Sequence, residues 1–249
     1  MIIDVQACFK SSPVSRSPFE VAELVGSVVR ELSPLHAQMR QWYTMPGGPR
    51  EKILSLKERG AVLKMMEADV EKTRRNLGDF RGLGASLMIS NVARSRDWRN
   101  PGLVVLDVNP MTGFHRLRMG GLEEFGEGFP GLMLQSLMVL VEKLNPVFAN
   151  VDVKARTRET GLVDYQLDRR LYQHREFFGW MGFVPAQITH AQIRDAHAVH
   201  PVDGLGTVIV SVPGVFDPTD DAQVDKVHRV EMDLASYDLL PVTDPNLKG

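Results

Sequence analysis

One cysteine, Cys8, occurs in 249 residues, which excludes a disulfide-stapled scaffold. No apolar run reaches the roughly 18 residues that a membrane helix needs. A long apolar stretch, Leu132–Leu144, is broken by Gln135, Ser136, Glu142 and Lys143. Neither sign of charge dominates: 29 basic and 31 acidic side chains leave a net charge of −2. Bulk attraction to nucleic acid or to an anionic membrane is therefore not expected. The first residues, Met-Ile-Ile-Asp-Val, lack the basic start and apolar run of a secretory leader. With 12 methionines and one thiol, a reducing cytoplasm is the expected setting. Internal repeats, low-complexity tracts and long linkers are absent too. What remains is ordinary globular usage, 43% apolar and 24% charged, enough to bury a core.

The charge is unevenly placed. Residues 50–118 carry a net of +6 and residues 201–249 a net of −6. Mutual complementarity within one fold is the simplest reading, and separate partners the alternative.

Local signals alternate between strand and helix. Ile2–Phe9 reads as a strand with Ile3, Val5 and Ala7 on one face. Ser17-Pro18 with Glu20 is a helix start, and Pro34 a stop. Pro49 is expected to open a short helix through Lys57. Val62, Met66, Val70, Thr73 and Leu77 mark an amphipathic helix. Ser86–Val92 and Val147–Val153 are further strand candidates. Leu103–Val108 and Phe114–Met119 read as a hairpin around Asn109–Gly113. Pro130 opens a helix through Leu144. Alternation in Gly179–Val184 places Phe178, Trp180 and Gly182 on one face. Gly206–Val212 is a strand, and Asp217-Pro-Thr caps a last helix from Asp220 to about Tyr237. In that helix Val224, Val227, Glu231 and Leu234 share a face. The expected fold is α+β: a mixed, largely antiparallel sheet packed with helices in a single compact unit spanning residues 1–249.

No chemical motif is complete. His197 and His200 are spaced H-x-x-H, with His190 upstream. Position 198 is alanine and Pro201 follows, so the general base of a zinc protease is missing. Surface histidines are the expectation, and no metal. Arg81-Gly-Leu-Gly-Ala-Ser86 nearly matches the pyrophosphate loop of coenzyme A-dependent acetyltransferases. It follows a helix and precedes a strand, the reverse of what such a loop needs. Walker loops and G-x-S-x-G elbows are absent. Cys8 fits a buried, small apolar role. Arg156, Arg158, Arg169, Arg170 and Arg175 are interleaved with Asp152, Glu159, Asp164, Asp168 and Glu176. Such mixing points to internal ion pairs, not to a phosphate-binding groove. No catalytic set and no cofactor site are expected.

The last third is the most distinctive. Gly179-Trp-Met-Gly-Phe-Val-Pro185 is followed by Gly204-Leu-Gly-Thr-Val-Ile-Val-Ser-Val212. Then come Phe216-Asp-Pro-Thr-Asp220 and a terminal helix ending in Asp238-Leu-Leu-Pro241. In this order and spacing the chain resembles immunity protein family 52 of bacterial polymorphic toxin systems, most sharply over residues 177–241. The resemblance implies a binding protein without chemistry of its own. Its expected partner is a secreted nuclease toxin with a restriction-endonuclease-like domain, encoded by a neighbouring gene and delivered by contact-dependent or type VI secretion. Direct nucleic-acid and membrane contacts are not implied, and a homodimer is compatible. A nuclease site is ringed by lysine and arginine, so a direct blocker presents acids. The candidates for toxin contact are Glu123, Glu124 and Glu127, and the cap residues Asp217, Asp220 and Asp221. The rival readings are a coenzyme A-dependent acyltransferase and a secretion-system adaptor.

Overall fold

The structure is a computed structural model that describes residues 2–46, 51–78, 83–157, 161–244 and 246. Ten strands form one sheet: β1 (Ile2–Lys10), β2 (Tyr43–Thr44), β3 (Leu87–Ser90), β4 (Leu103–Asn109), β5 (Phe114–Gly120), β6 (Phe148–Thr157), β7 (Gly161–Asp164), β8 (Met181–Val184), β9 (Ala198–Val202) and β10 (Gly206–Val210). The helices are α1 (Pro18–Leu32), α2 (Arg59–Leu77), α3 (Phe129–Leu144) and α4 (Asp221–Ser236). The sheet order is β2-β3-β4-β5-β1-β6-β8-β10-β9, with β7 also on β6. Each strand pairs antiparallel with its neighbours. The fold is thus α+β.

Alternation sets which side of each strand is covered. Val5, Ala7 and Phe9 of β1 point with Ala149, Val151 and Val153 of β6 into a core beneath α1 and α3. Helix α1 delivers Val21, Val25, Val28 and Leu32 to it. Its start is a capping box: the Glu20 amide donates to the Ser17 hydroxyl, and the Ser17 amide to Glu20. On the opposite side, Phe148, Val184 and Ile209 pack with Val230 and Leu234 of α4. Helix α4 covers only the β6-β8-β10 end. Over β4, β5 and β1 the outer side carries cross-strand ion pairs, Arg116–Asp107 at 3.1 Å and Arg118–Asp4 at 3.2 Å. An antiparallel sheet tolerates one wet face, and such exposed pairs contribute about 0–1 kcal/mol each.

Four expectations change. The segment 51–57 is not helical; Pro49 lies outside the described residues. Leu56 N–H donates to the Trp42 carbonyl and Thr44 N–H to that of Leu54, so the chain around Ser55 runs beside β2 before turning at 56–57. Cys8 is on the outer side of β1, half-buried, with the Gln6 amide donating to its sulfur. Phe178 and Trp180 do not share a face. Phe178 faces α4, whereas Trp180 stacks on Phe129 of α3 at 6.0 Å. The cause is Gly179, whose φ of +72° interrupts the alternation before β8 starts. Finally, among the described residues the acidic tail pairs not with residues 50–118 but with Arg169 through Asp221 and Arg175 through Asp238, while its own Arg229 pairs with Asp195. In α2, Val62 and Met66 are buried and Val70 and Thr73 half-buried; the Leu77 side chain lies outside what is described.

A Cβ at Gly179 would lie 2.3 Å from the Val151 carbonyl oxygen, and its φ is unfavourable to other residues. We expect Gly179→Ala to lower stability by about 3 kcal/mol or more in urea unfolding. A parent-like midpoint would show that this backbone approach is not a constraint.

Candidate functional site

The buried polar centre lies where β6 changes partners. Its first half pairs with β8 and its second half with β7. Between them, Val151 bridges in parallel to Gly179. Asn150, Asp152 and Asp164 are each less than 5% exposed here, and Tyr165 is fully buried. Asp152 accepts from the Gln166 amide at 3.2 Å, and Asp164 caps the π-helical turn Tyr165–Arg169 by accepting from Leu167. Lys154 lies 2.6 Å from Asp164 and 3.7 Å from Asp152. Burial, reinforced by the nearby Asp164 charge, pushes the Asp152 carboxyl up to about 6.

Glu231 enters from α4, 1% exposed. One carboxylate oxygen accepts from the Phe178 amide at 2.7 Å and the Gly179 amide at 3.2 Å. Burial raises its pKa, and the two amide donors oppose that rise. The Tyr165 ring faces the same carboxylate, and its hydroxyl is pushed strongly upward by burial and then by the Glu231 charge. The sequence pattern placed Glu231 on the apolar stripe of α4. That placement was the available signal for a buried acid.

This cluster ties α4 and the π-helical turn to β6 and to the chain before β8. Among the described residues no group of three histidine, cysteine or carboxylate side chains is placed to hold a metal. His197 and His200 lie in extended chain at β9, not on a helix, because His197 N–H donates to the Val210 carbonyl. The H-x-x-H spacing therefore does not put both rings on one helical face, and His190 and His197 are exposed. In the near-acetyltransferase loop, Arg81 and Gly82 lie outside the described residues. Leu83–Ser86 runs extended into β3, with Ala85 N–H donating to the Arg16 carbonyl. A cleft of about 410 Å³ at the same end is lined by Arg16, His115 and Lys143 but by none of Leu83–Ser86. His115 there is lowered to about 4 by burial and by Arg16, so it is neutral at pH 7.

The interleaved arginines form ion pairs largely with other parts of the chain. Arg169 meets Asp221 and Arg175 meets Asp238, while Arg170 binds Gln173. Lys10 takes Glu176. Arg156 is exposed. Arg158 and Glu159 lie outside the described residues.

The six acids named as toxin-contact candidates divide by employment. Asp217 accepts from the Thr219 amide at 2.9 Å and its hydroxyl at 2.7 Å. Asp220 is the N-cap of α4, accepting from Ala222 at 2.9 Å and Gln223 at 3.4 Å. The Gln223 side chain and these amides hold its carboxyl below the usual range. Asp221 is bound to Arg169. These three serve the fold locally. Glu123 and Glu124 instead sit exposed on the 3-10 turn Leu122–Phe125, and Glu127 is exposed just before α3. Buried Phe125 anchors that turn by packing, tilted, against Phe129 with ring centroids 5.5 Å apart.

Comparison with known proteins gives a fold likeness. No family model matches the chain, and no curated protein matches it. The solved structure of a Pseudomonas aeruginosa T6SS protein, PA0821, is similar with a TM-score of 0.50. The match covers 92% of this chain and 75% of that chain at 13% identity. Among the described residues no helix is long and apolar enough to cross a membrane.

Two outcomes are expected of the cluster and the cap. The Asp152 carboxyl is raised in the folded state from 3.8 to about 6. Its contribution is therefore retained below pH 4 and lost as the pH rises through 6. Asp152→Asn should accordingly gain stability at pH 8 relative to the parent, by up to about 3 kcal/mol, and gain little at pH 4. Urea unfolding at both pH values tests this; equal effects at the two would refute it. Asp220→Ala should cost about 1 kcal/mol through loss of the α4 cap, seen as a lower thermal midpoint.

Proposed function

We propose that the chain is an immunity protein that binds and neutralises a cognate nuclease toxin of a type VI secretion system. Two independent likenesses support the reading. The sequence of residues 177–241 resembles immunity protein family 52. The fold, over 92% of the chain, is like that of a protein described as belonging to such a system. The observation that carries most weight is the fold likeness over 92% of the chain. Neutralisation in this reading is occlusion. Exposed Glu123, Glu124 and Glu127 present unengaged negative charge to the basic ring of the toxin's site, and no bond in the toxin is made or broken. Complementary charge of this kind speeds encounter more than it strengthens the final complex. A secretion-system adaptor is the second reading, since the similar Pseudomonas aeruginosa protein is described by its system and not by a role.

The deciding experiment is co-expression. The gene beside this one is expressed in a sensitive host with and without the chain, which carries a tag for pull-down. Killing by the neighbour alone, with rescue and co-purification, is the expected result. A harmless neighbour that still binds favours the adaptor; no rescue and no binding refute immunity. The contact acids have their own test. Glu123→Gln, Glu124→Gln and Glu127→Gln together should slow association with the purified toxin about 10-fold at low salt. The difference should vanish at high salt, and Asp220→Ala should leave the rate unchanged. A triple variant that associates as fast as the parent would remove these residues from the interface.

A further inference from the structure

The cleft of about 410 Å³ lies where three parts of the fold meet: the loop that joins β1 to α1, the β4–β5 hairpin and the C-terminal end of α3. Each part brings one basic side chain to the lining: Arg16 from the loop, His115 from β5 and Lys143 from α3. Among the described residues no carboxylate belongs to the lining. Leu24, Pro146 and Leu205 supply apolar wall. The volume is that of a small-molecule site.

The polar groups of this lining divide into acceptors already in use and donors that are not. The Leu144 carbonyl accepts from the Ser11 hydroxyl at 3.2 Å. The Pro110 carbonyl accepts from the amides of Val14 at 2.8 Å and Gly113 at 3.1 Å. His115 is 3% exposed, and its Nδ1 accepts from the Asn109 amide at 3.1 Å. A neutral ring engaged in this way carries its proton on Nε2, which is therefore a donor. Arg16 is half-buried, and among the described residues no hydrogen bond or ion pair engages its guanidinium. Its charge is close enough to help hold His115 neutral. Glu20, the acid nearest to it in sequence, is committed to Ser17 in the capping box of α1. Lys143 has Glu31 at 3.6 Å, beyond hydrogen-bond reach.

We propose that this cleft binds a small organic anion, with its oxyanion head on Arg16 and the Nε2–H of His115 and its apolar body on Leu24, Pro146 and Leu205. Charge selects the head. Two cations without an acid in the lining repel a cationic ligand, and a neutral one leaves the guanidinium uncompensated. An oxyanion is acceptor-only, and so matches donors whose own acceptors are elsewhere. Lys143 adds positive charge from the third side. The site requires no toxin, so it stands or falls apart from the immunity reading.

The test titrates the purified full chain with phenyl phosphate, benzoate, inorganic phosphate and benzyl alcohol at constant ionic strength. The imidazole NMR signals of His115 report binding. Phenyl phosphate and benzoate should shift them, with half-saturation at about 1 mM or below. Phenyl phosphate should bind the tighter, because it brings more charge to two cations. The bound anion should also raise the pH at which His115 titrates, since it offsets the Arg16 charge. Arg16→Gln retains the backbone carbonyl that Ala85 uses, and a parent-like thermal midpoint checks its fold. It should weaken binding of both anions by about 10-fold or more. No saturable shift with any probe, or equal affinity in Arg16→Gln, overturns the site. Benzyl alcohol binding as well as benzoate overturns the charged head. Inorganic phosphate binding as tightly as phenyl phosphate overturns the apolar body. If Arg16→Gln does not fold, benzoate against benzyl alcohol in the parent decides.

Discussion

The contact between Glu231 and the amides of Phe178 and Gly179 is the constraint from which much of the architecture follows. Those two residues cross β6 where no strand can partner them fully. Their backbone groups must nevertheless be satisfied, because a buried orphan amide costs roughly as much as a lost hydrogen bond. The accounting closes through long-range partners. Glu231 takes both amides, Val151 donates to the Phe178 carbonyl at 3.4 Å and its own carbonyl accepts from Trp180 at 3.1 Å. Ser211 donates to Gly179 and Trp180 carbonyls through its hydroxyl and amide. One carboxylate on α4 thereby fixes a loop that sends Phe178 to one side of the sheet and Trp180 to the other. Trp180 in turn binds the Val212 carbonyl and stacks on α3. Both helices at this end of the molecule are located by a single buried acid.

Burying an acid has a cost, and the structure meets it differently at two places. Glu231 receives two amide donors, which partly offset the loss of water. Asp152 receives one amide, from Gln166, and shares Lys154 with Asp164. Its ionised form is therefore less well supported, and the upward shift to about 6 reflects that difference. A buried charge pair of this kind is weak evidence for stability. Its effect is geometric: Asp152 and Asp164 hold the π-helical turn that carries Tyr165 into the core. Tyr165 then packs edge-on against Phe216 at 5.3 Å, immediately before the residues that cap α4. The two carboxylate sites thus brace the same helix from opposite ends of its buried face.

Much of the fold was legible in the chain because its signals were local. The Ser17 capping box, the hairpin around Asn109–Gly113, the Pro130 helix and the stripe on α4 each depend on residues a few positions apart. What was not legible depends on distant partners. Residues 51–57 carry Pro49 upstream as a plausible helix start, yet Trp42 and Thr44 capture their backbone. Gly179 looks like any strand glycine until the Val151 carbonyl approaches it. Cys8 alternates correctly with Val5, Ala7 and Phe9 on β1, so its place on the outer side was available from the period of two; its small apolar character misdirected the reading. The mixed charges of residues 152–176 did predict ion pairs, but a sequence carries no sign that Asp221 and Asp238 would be the partners.

The same distinction orders the candidate contact residues. Asp217-Pro-Thr-Asp220 carries the signature of a helix start, and those acids are indeed consumed by amides and by Gln223. An acid already holding such donors has little hydrogen-bonding capacity to offer a partner. Glu123, Glu124 and Glu127 have no such local duty. Glu123 and Glu124 stand on a turn that Phe125 anchors in the core, so presenting them carries a small entropic cost. In the proposed immunity reading, a rigid acidic turn would bind where the toxin's own basic charge is concentrated. Function here would be carried by what the fold leaves unengaged, and the buried acids by what it cannot leave unpaired.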